Sequence, residues 1–398
     1  MECDASHIAV EGKIVALYLW ATDCRATVWR APKVGRRVTD FGATSNLSSD
    51  SQQAFLKAWS QACQTKGGVL QIPQGNYSLS GADFQGPCNG QTSVFLNGTL
   101  KASSDPTLPL DHWIQFGNVD NLRIYGKGVL DGNGAVSWGK CSDLQKCKLP
   151  PTSLKLSGVT NAQIQDIKSI NSKFFHIVIG DSQNVVVNNV QIWAPWNSSN
   201  TDGIHIGRSN SIIISNVTIA TGDDCISIGD GCYNINITGV SCGPGHGISI
   251  GSLGRYDTEK DVSLINVMGS TLTNTTNGLR IKTFASPQSL VVSGITYQNI
   301  IMNNVRNPII IDQHYCPQSQ CTGQGESNIL IKGVKYMNIR GSSSTSVGVK
   351  TNCSGNRPCQ DIEFSGLNIT YQGRPTTASC SFCDFRFLGS SQVPSSCS

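Results

Sequence analysis

Four short motifs hold the residues whose chemistry can be read directly from this chain: Asn200-Thr201-Asp202, Gly222-Asp223-Asp224-Cys225, Gly245-His246-Gly247 and Arg280-Ile281-Lys282. Asp202 and Asp223 are 21 residues apart, Asp202 and Asp224 are 22 apart, and His246 follows Asp224 by 22 more. A backbone that coils once per roughly 20–25 residues stacks all of these positions in one patch. Asp202 and Asp224 then stand one above the other at the inter-strand spacing of about 4.8 Å. Asp223 can face the same way as Asp224 only at a turn, because in a regular strand adjacent side chains point oppositely. Carboxylates gathered like this cannot all ionise cheaply, so at least one keeps its proton to higher pH. That separation of proton affinities is what an acid–base pair for glycosidic cleavage requires. One Asp in a turn is ordinary; three, in motifs at coil spacing, point to a site.

His246 lies between Gly245 and Gly247, which leave its ring unobstructed to bond a carboxylate or a sugar hydroxyl. Arg280 and Lys282 are two apart in a strand-like run, so both point to one face. They serve either as charge balance for the three acids or as a grip on a substrate carboxylate, with Arg a bidentate fork and Lys a point charge. Tyr315, in Asp312-Gln313-His314-Tyr315-Cys316, can close the same patch from a later coil or simply pack.

The elements that would position these residues recur along the chain. Asn121-Leu-Arg-Ile-Tyr-Gly, Asn161-Ala-Gln-Ile-Gln-Asp-Ile, Asn184-Val-Val-Val-Asn-Asn-Val, Ser211-Ile-Ile-Ile-Ser-Asn-Val and Asn234-Ile-Asn-Ile-Thr-Gly-Val share one pattern. The segments beginning at Asp261, Ser289, Asn328 and Asp361 continue it. Each is a polar turn residue, alternating apolar positions, a polar or Gly break and another apolar residue. From Asn161 the starts are 23, 27, 23, 27, 28, 39 and 33 residues apart. Short strands at that period, with no room for crossover helices, predict an all-β chain wound as a right-handed parallel β-helix. A β-sandwich is the alternative, but it would want hairpin turns and a shorter period. Upstream, Asp40-Phe41-Gly42-Ala43 reads as strand and turn. Asp50 can cap a helix whose apolar residues Ala54, Phe55, Ala58, Trp59 and Ala62 share one face, suited to covering the open end of the solenoid. Strands begin at Gly67-Gly68-Val69. Residues 37–398 read as one domain and residues 1–36 as a poorly defined extension. Its apolar run Ile14–Ala21 is short for a signal segment, is preceded by acids, and is far too short to span a bilayer.

Composition agrees with a turn-rich solenoid: of 398 residues 38% are hydrophobic and 41 are Gly. A net charge of +4, with no Lys/Arg block among aromatics, argues against nucleic acid and suits an acidic polymer weakly. Sixteen cysteines fit an oxidising compartment better than a reducing one. Cys141/Cys147, Cys225/Cys242, Cys316/Cys321 and Cys353/Cys359 can close short loops, whereas the single Cys380-x-x-Cys383 lacks the partners of a zinc site. Nine N-x-S/T sequons add to the case for the secretory route.

Over residues 37–398 the four motifs, intact and in order, closely resemble the polygalacturonases of glycoside hydrolase family 28. That resemblance implies hydrolysis of α-1,4 bonds between galacturonates with inversion, the two carboxyls lying about 6.5–9.5 Å apart. It implies Asp223 as general acid, Asp202 and Asp224 as the bases that activate water, and His246 supporting the proton network. Arg280 and Lys282 would bind the uronate carboxylate, with Tyr315 and Asn200 completing the subsite. No metal or cofactor is implied, and the partner is polygalacturonate or pectin, bound by a secreted cell-wall monomer that engages neither nucleic acid nor membrane. The runs Cys225-Ile-Ser-Ile-Gly-Asp-Gly, Gly251-Ser-Leu-Gly-Arg-Tyr-Asp-Thr-Glu-Lys-Asp-Val and Asn307-Pro-Ile-Ile-Ile-Asp-Gln-His-Tyr-Cys-Pro look like the plant pollen-type, exo-acting branch, some members of which are allergens. An endo-acting polygalacturonase, a rhamnogalacturonan hydrolase, a calcium-dependent pectate lyase and a non-catalytic pectin-binding β-helix are the rival expectations.

Overall fold

The computed structural model describes residues 35–104, 111–139, 149–317, 321, 325–389 and 392–397. The expected Cys141/Cys147 pair and the apolar run Ile14–Ala21 lie outside the described residues. Those described belong to one compact unit, Ala31–Ser398.

The fold is the right-handed parallel β-helix. The coils run through three parallel ladders, as in Gln183–Asn188, Gln191–Trp193 and Ile204–Gly207. The repeated segments form the first ladder in register. Ile164 pairs with Val187, Val187 with Ile214, Ile214 with Ile237 and Ile237 with Val267. Toward the C-terminus the same inward column becomes aromatic, with Tyr297, Tyr336, Phe364 and Phe387 stacked at centroid distances of 5.0, 5.2 and 4.9 Å. In six of the nine repeats the polar residue that opens the segment has a conformational cause. Asn121, Asn161, Asn184, Ser211, Asn234 and Asp361 all have φ between 55° and 58°, the left-handed region that Asn and Asp tolerate best among residues with a side chain. Stacked Asn side chains bond one another, Asn184 Nδ2 donating to Asn161 Oδ1 at 3.1 Å.

The third ladder carries the site. Its eleven strands are β1 (Ala82–Gln85), β2 (His112–Gly117), β3 (Thr152–Ser157), β4 (Ile177–Gly180), β5 (Ile204–Gly207), β6 (Ile226–Ile228), β7 (Ile248–Leu253), β8 (Asn277–Thr283), β9 (Asn307–Asp312), β10 (Val347–Asn352) and β11 (Thr377–Ser381). Inward, Ile206, Ile228, Ile250, Ile281 and Ile311 follow one another rung by rung, all 1% exposed or less. Burying one such side chain contributes about 1.5–3 kcal/mol, so this column fixes the register tightly.

Helix α1 (Gln52–Gln64) buries Ala54, Phe55, Ala58, Trp59 and Ala62 as expected, and also Cys63. Trp59 packs on Phe84 and Phe116 and its indole N–H donates to Gln85 O at 3.1 Å. The helix therefore covers the first rungs of the ladder. Ser51 rather than Asp50 is the N-cap residue; Asp50 still accepts from Gln52 N at 3.3 Å and ties the helix start to Ser80. The expectation of a strand at Asp40–Ala43 is corrected. Val38–Phe41 is a 3-10 turn ended by Gly42 in the left-handed conformation, and the strand precedes it at Gly35–Arg37. Cys225–Cys242, Cys316–Cys321 and Cys353–Cys359 are disulfides, joined by Cys63–Cys88 and Cys380–Cys397. Cys232 and Cys383 are free thiols. Among the described residues no helix is long and apolar enough to cross a membrane.

Candidate active site

The expected patch forms where the turns leaving the second ladder enter β5, β6, β7 and β8. Ile204, Ile226 and Ile248 are consecutive rungs, and Asp202, Asp224 and His246 each stand two residues before them. The 22-residue spacing thus corresponds to one column. Its turns are laced by backbone. Gly203 N donates to Asp224 O at 2.9 Å, His246 N donates to Asp223 O at 2.8 Å, and Gly222 N donates to Thr201 Oγ1 at 3.1 Å. Asn200 lies at the left-handed turn position before Asp202, with φ 56°. Gly247 is required by the backbone rather than by ring access. Its φ is 87°, and a Cβ there would sit 2.2 Å from Asn277 O, so any side chain would push the next coil away.

The three acids differ in surroundings. Asp224 is the deepest, with its side chain 1% exposed. Its Oδ1 accepts from Arg280 Nη2 at 2.6 Å and Ser249 Oγ at 2.9 Å, and its Oδ2 from Lys282 Nζ at 2.9 Å. Asp223 is the most accessible, its side chain 23% exposed, and its Oδ1 pairs with His246 Nδ1 at 2.9 Å. Asp202 is buried and accepts from Ser227 Oγ at 2.6 Å on Oδ2. Burial, then the charges of Asp223 and Asp224, push the Asp202 pKa well above the usual carboxylate range. Burial also pushes Asp223 upward, but the His246 hydrogen bond and charge, the charge of Lys282 and the Asp224 N–H together outweigh it and bring Asp223 to about 2. His246 moves the other way. Burial lowers it, the Asp223 bond and charge more than compensate, and its pKa is raised. Of the three crowded carboxyls, Asp202 is the one whose surroundings raise its proton affinity.

Arg280 and Lys282 face the same side, but both are engaged by Asp224. Any further anion must share them. Tyr315 reaches the pair, its ring centroid 5.2 Å from Lys282 Nζ and 6.0 Å from Arg280 Cζ. Phe284 packs on Tyr315 at 5.6 Å, and Arg255 lies over Phe284 at 4.8 Å. Asp223, Asp224 and His246 bring donor atoms within 4.8 Å of one another. Those donors are already engaged by Arg280, Lys282 and by each other, so a metal would have to displace two cations of the chain.

Sequence reasoning missed Ser227, Ser249, His205 and Thr201. The signal for the first three was present. Ile204-His205-Ile206, Ile226-Ser227-Ile228, Ile248-Ser249-Ile250 and Leu279-Arg280-Ile281 are aliphatic pairs around one polar residue at coil spacing. Alternation turns that residue outward, onto the face of the acids.

A parallel β-helix whose outer face gathers three carboxyls, a histidine and two cations defines a carbohydrate-active enzyme of the solenoid class. Residues 63–396 match the model of the glycosyl hydrolases family 28, and the chain belongs to that family. An exopolygalacturonase of Platanus acerifolia is 43% identical over 364 residues, 90% of this chain and 96% of that one. One from Zea mays is 45% identical, over 84% of this chain and 83% of that one. Among solved structures, an endo-xylogalacturonan hydrolase of Aspergillus tubingensis superposes with TM-score 0.78 at 25% identity, covering 89% of this chain and 100% of that chain. An exopolygalacturonase of Thermotoga maritima gives TM-score 0.74 at 19% identity, covering 90% and 91% respectively.

Proposed function

We propose that this protein hydrolyses the α-1,4 bonds of polygalacturonate with inversion, removing galacturonate from the non-reducing end. The single observation that carries this is the column Asp202, Asp224, His246 with Asp223 at its lip, in a family 28 chain whose relatives named above are exopolygalacturonases. Asp223, the most exposed acid, is the one a glycosidic oxygen reaches, and it protonates the leaving group. Arrival of an anionic sugar adds negative charge and excludes water, both of which raise the proton affinity of Asp223. The proton that the resting site keeps on Asp202 then passes to Asp223. This frees Asp202 to take a proton from water, while Asp224, held between Arg280 and Lys282, orients that water. Bond cleavage moves the glycosidic electron pair to the leaving oxygen, which takes the Asp223 proton. The water oxygen bonds the anomeric carbon and its proton goes to Asp202. Arg280, Lys282 and Tyr315 hold the uronate carboxylate, with the two cations shared between it and Asp224, and Asn200 lines the same subsite.

Five disulfides among the described residues support an oxidising, extracellular setting, in keeping with a pectin substrate in the cell wall. We assign residues 37–398 as the catalytic domain, acting as a monomer. The test is to digest de-esterified polygalacturonate and follow product size and viscosity together. Monogalacturonate released while viscosity stays high is expected. A fast viscosity drop with mixed oligomers would make the enzyme endo-acting, and absence of new reducing ends would overturn the hydrolase reading.

A further inference from the structure

Two hydrogen-bond relays in the site each join a turn acid to the outward serine one rung later and that serine to a further donor, which stands on the rung before the serine in one relay and on the rung after it in the other. His205, Ser227, Ser249 and Arg280 are successive outward residues of β5, β6, β7 and β8. Ser249 Oγ donates to Asp224 Oδ1 at 2.9 Å and accepts from Arg280 Nε at 2.9 Å. Ser227 Oγ donates to Asp202 Oδ2 at 2.6 Å and lies 2.8 Å from His205 Nδ1. A hydroxyl has one proton. With that proton on the carboxylate, Ser227 Oγ can only accept, and His205 is the tautomer with its hydrogen on Nδ1. The two relays differ in their head group. Arg280 brings a full charge and a second contact, Nη2 to Asp224 Oδ1, whereas His205 touches only the serine.

We propose that His205 is a positioning residue for Asp202: through Ser227 it aims a hydroxyl proton at the carboxylate without bringing a charge to it, and so keeps Asp202 the carboxyl that takes up and releases the proton of this site. This rests on the hydrolase reading above. A cation bonded to Asp202 as Arg280 is bonded to Asp224 would favour the carboxylate and make Asp202 a poorer base.

The surroundings of His205 keep it neutral and still. Burial, then the charge of Lys282 on β8, lower its pKa to about 4; Asp224 at the entry to β6 opposes this and Arg208, just past β5, adds to it. The ring stacks on Phe175 at 4.9 Å and 28°, and Phe175 stacks on Phe174 at 4.1 Å. Phe175 occupies the position one coil below Asp202 in the column of the acids, since Ile177 pairs with Ile204. Above about pH 4 the relay therefore delivers orientation alone.

The experiment compares wild type, His205→Asn, His205→Phe and Ser227→Ala in kcat/KM against pH on polygalacturonate. Phe keeps the stack on Phe175 and removes the donor, whereas Asn keeps an amide donor. His205→Asn should stay within about threefold of wild type. His205→Phe and Ser227→Ala should lose about tenfold or more, and their alkaline limb should move up by about one pH unit, because the ionised form of Asp202 has lost hydrogen-bond support. Unmoved limbs, with His205→Asn as impaired as His205→Phe, would reduce His205 to packing. Titrating carbon-13-labelled aspartate carboxyls in the same variants reads the relay without turnover. An Asp202 midpoint that rises in His205→Phe but not in His205→Asn upholds the relay even if polygalacturonate is not the substrate. An unchanged midpoint overturns the relay while leaving the hydrolase reading to its own product assay.

Discussion

Replacing Asp224 by Asn keeps its shape and removes the charge that both Arg280 and Lys282 meet. Their side chains are 11% and 10% exposed, and that of Asp224 is 1% exposed, so neither cation can turn to water without moving strands. Breaking a buried pair from one side costs about 3–5 kcal/mol, chiefly because the remaining charge stays buried. At about 2.1 cal/mol/K per residue, 398 residues unfold with about 0.8 kcal/mol/K of entropy, so the midpoint should fall by about 4–6 °C. Asp223→Asn is the control. Its carboxylate is 23% exposed, pairs with a histidine that is itself 38% exposed and accepts from Asp224 N at 2.8 Å, so its loss strands no fully buried charge and its midpoint should fall by less, about 3 °C at most. Adding Lys282→Met to Asp224→Asn should recover part of the loss, since contacting residues couple non-additively. Both Asp variants should lose at least about 10²-fold in activity. Calorimetry at one scan rate and a reducing-sugar assay suffice. An Asp224→Asn variant melting like Asp223→Asn, or strictly additive behaviour with Lys282→Met, would refute the claim that Asp224 is held by two buried cations.

Asp202→Asn should lose activity yet melt higher than wild type at pH 7. A carboxyl with a raised folded pKa costs stability as pH climbs above its unfolded value of about 3.9, so the gain should vanish near pH 4. His246→Gln should flatten the stability profile at both ends. The Asp223 contribution exists above the unfolded carboxyl value of about 3.9 and is lost as pH falls toward 2, while the His246 contribution exists below about 6.5 and is lost as pH rises through its raised folded pKa. Melting of both proteins from pH 3 to 9 checks this. The Cys225→Ala/Cys242→Ala double variant removes a cross-link between residues 17 apart and should lose about 3 kcal/mol in urea unfolding.

Periodicity made the coil legible because the force that sets it is repetitive. Burial of one apolar column per ladder demands alternation within strands and a left-handed turn residue between them, and both leave marks in the text of the chain. Asp202, Asp224 and His246 could be stacked from spacing alone for the same reason. The ionisation of the site was less legible, since it depends on which donors face each oxygen. The Arg280 and Lys282 side chains point to one face as alternation requires, yet alternation does not say that Asp224 takes both. The 3-10 turn at Val38–Phe41 escaped because a segment of four residues offers no period to read.

What separates Asp202 from Asp224 is the donor behind the serine that each one bonds, and this bears on how such a site can arise on a solenoid. Successive coils offer equivalent positions for a turn acid and for an outward serine one rung later. Repetition alone would give carboxyls of equal proton affinity, which cannot divide acid from base. Placing a permanently charged Arg280 on one relay and a neutral His205 on the other breaks that equivalence by one residue per coil, and Lys282 deepens it from the next outward position of β8. His246 does the same for Asp223 from the turn. The differentiated chemistry of the three acids therefore comes from side chains within two rungs of them, on a backbone that treats the coils alike.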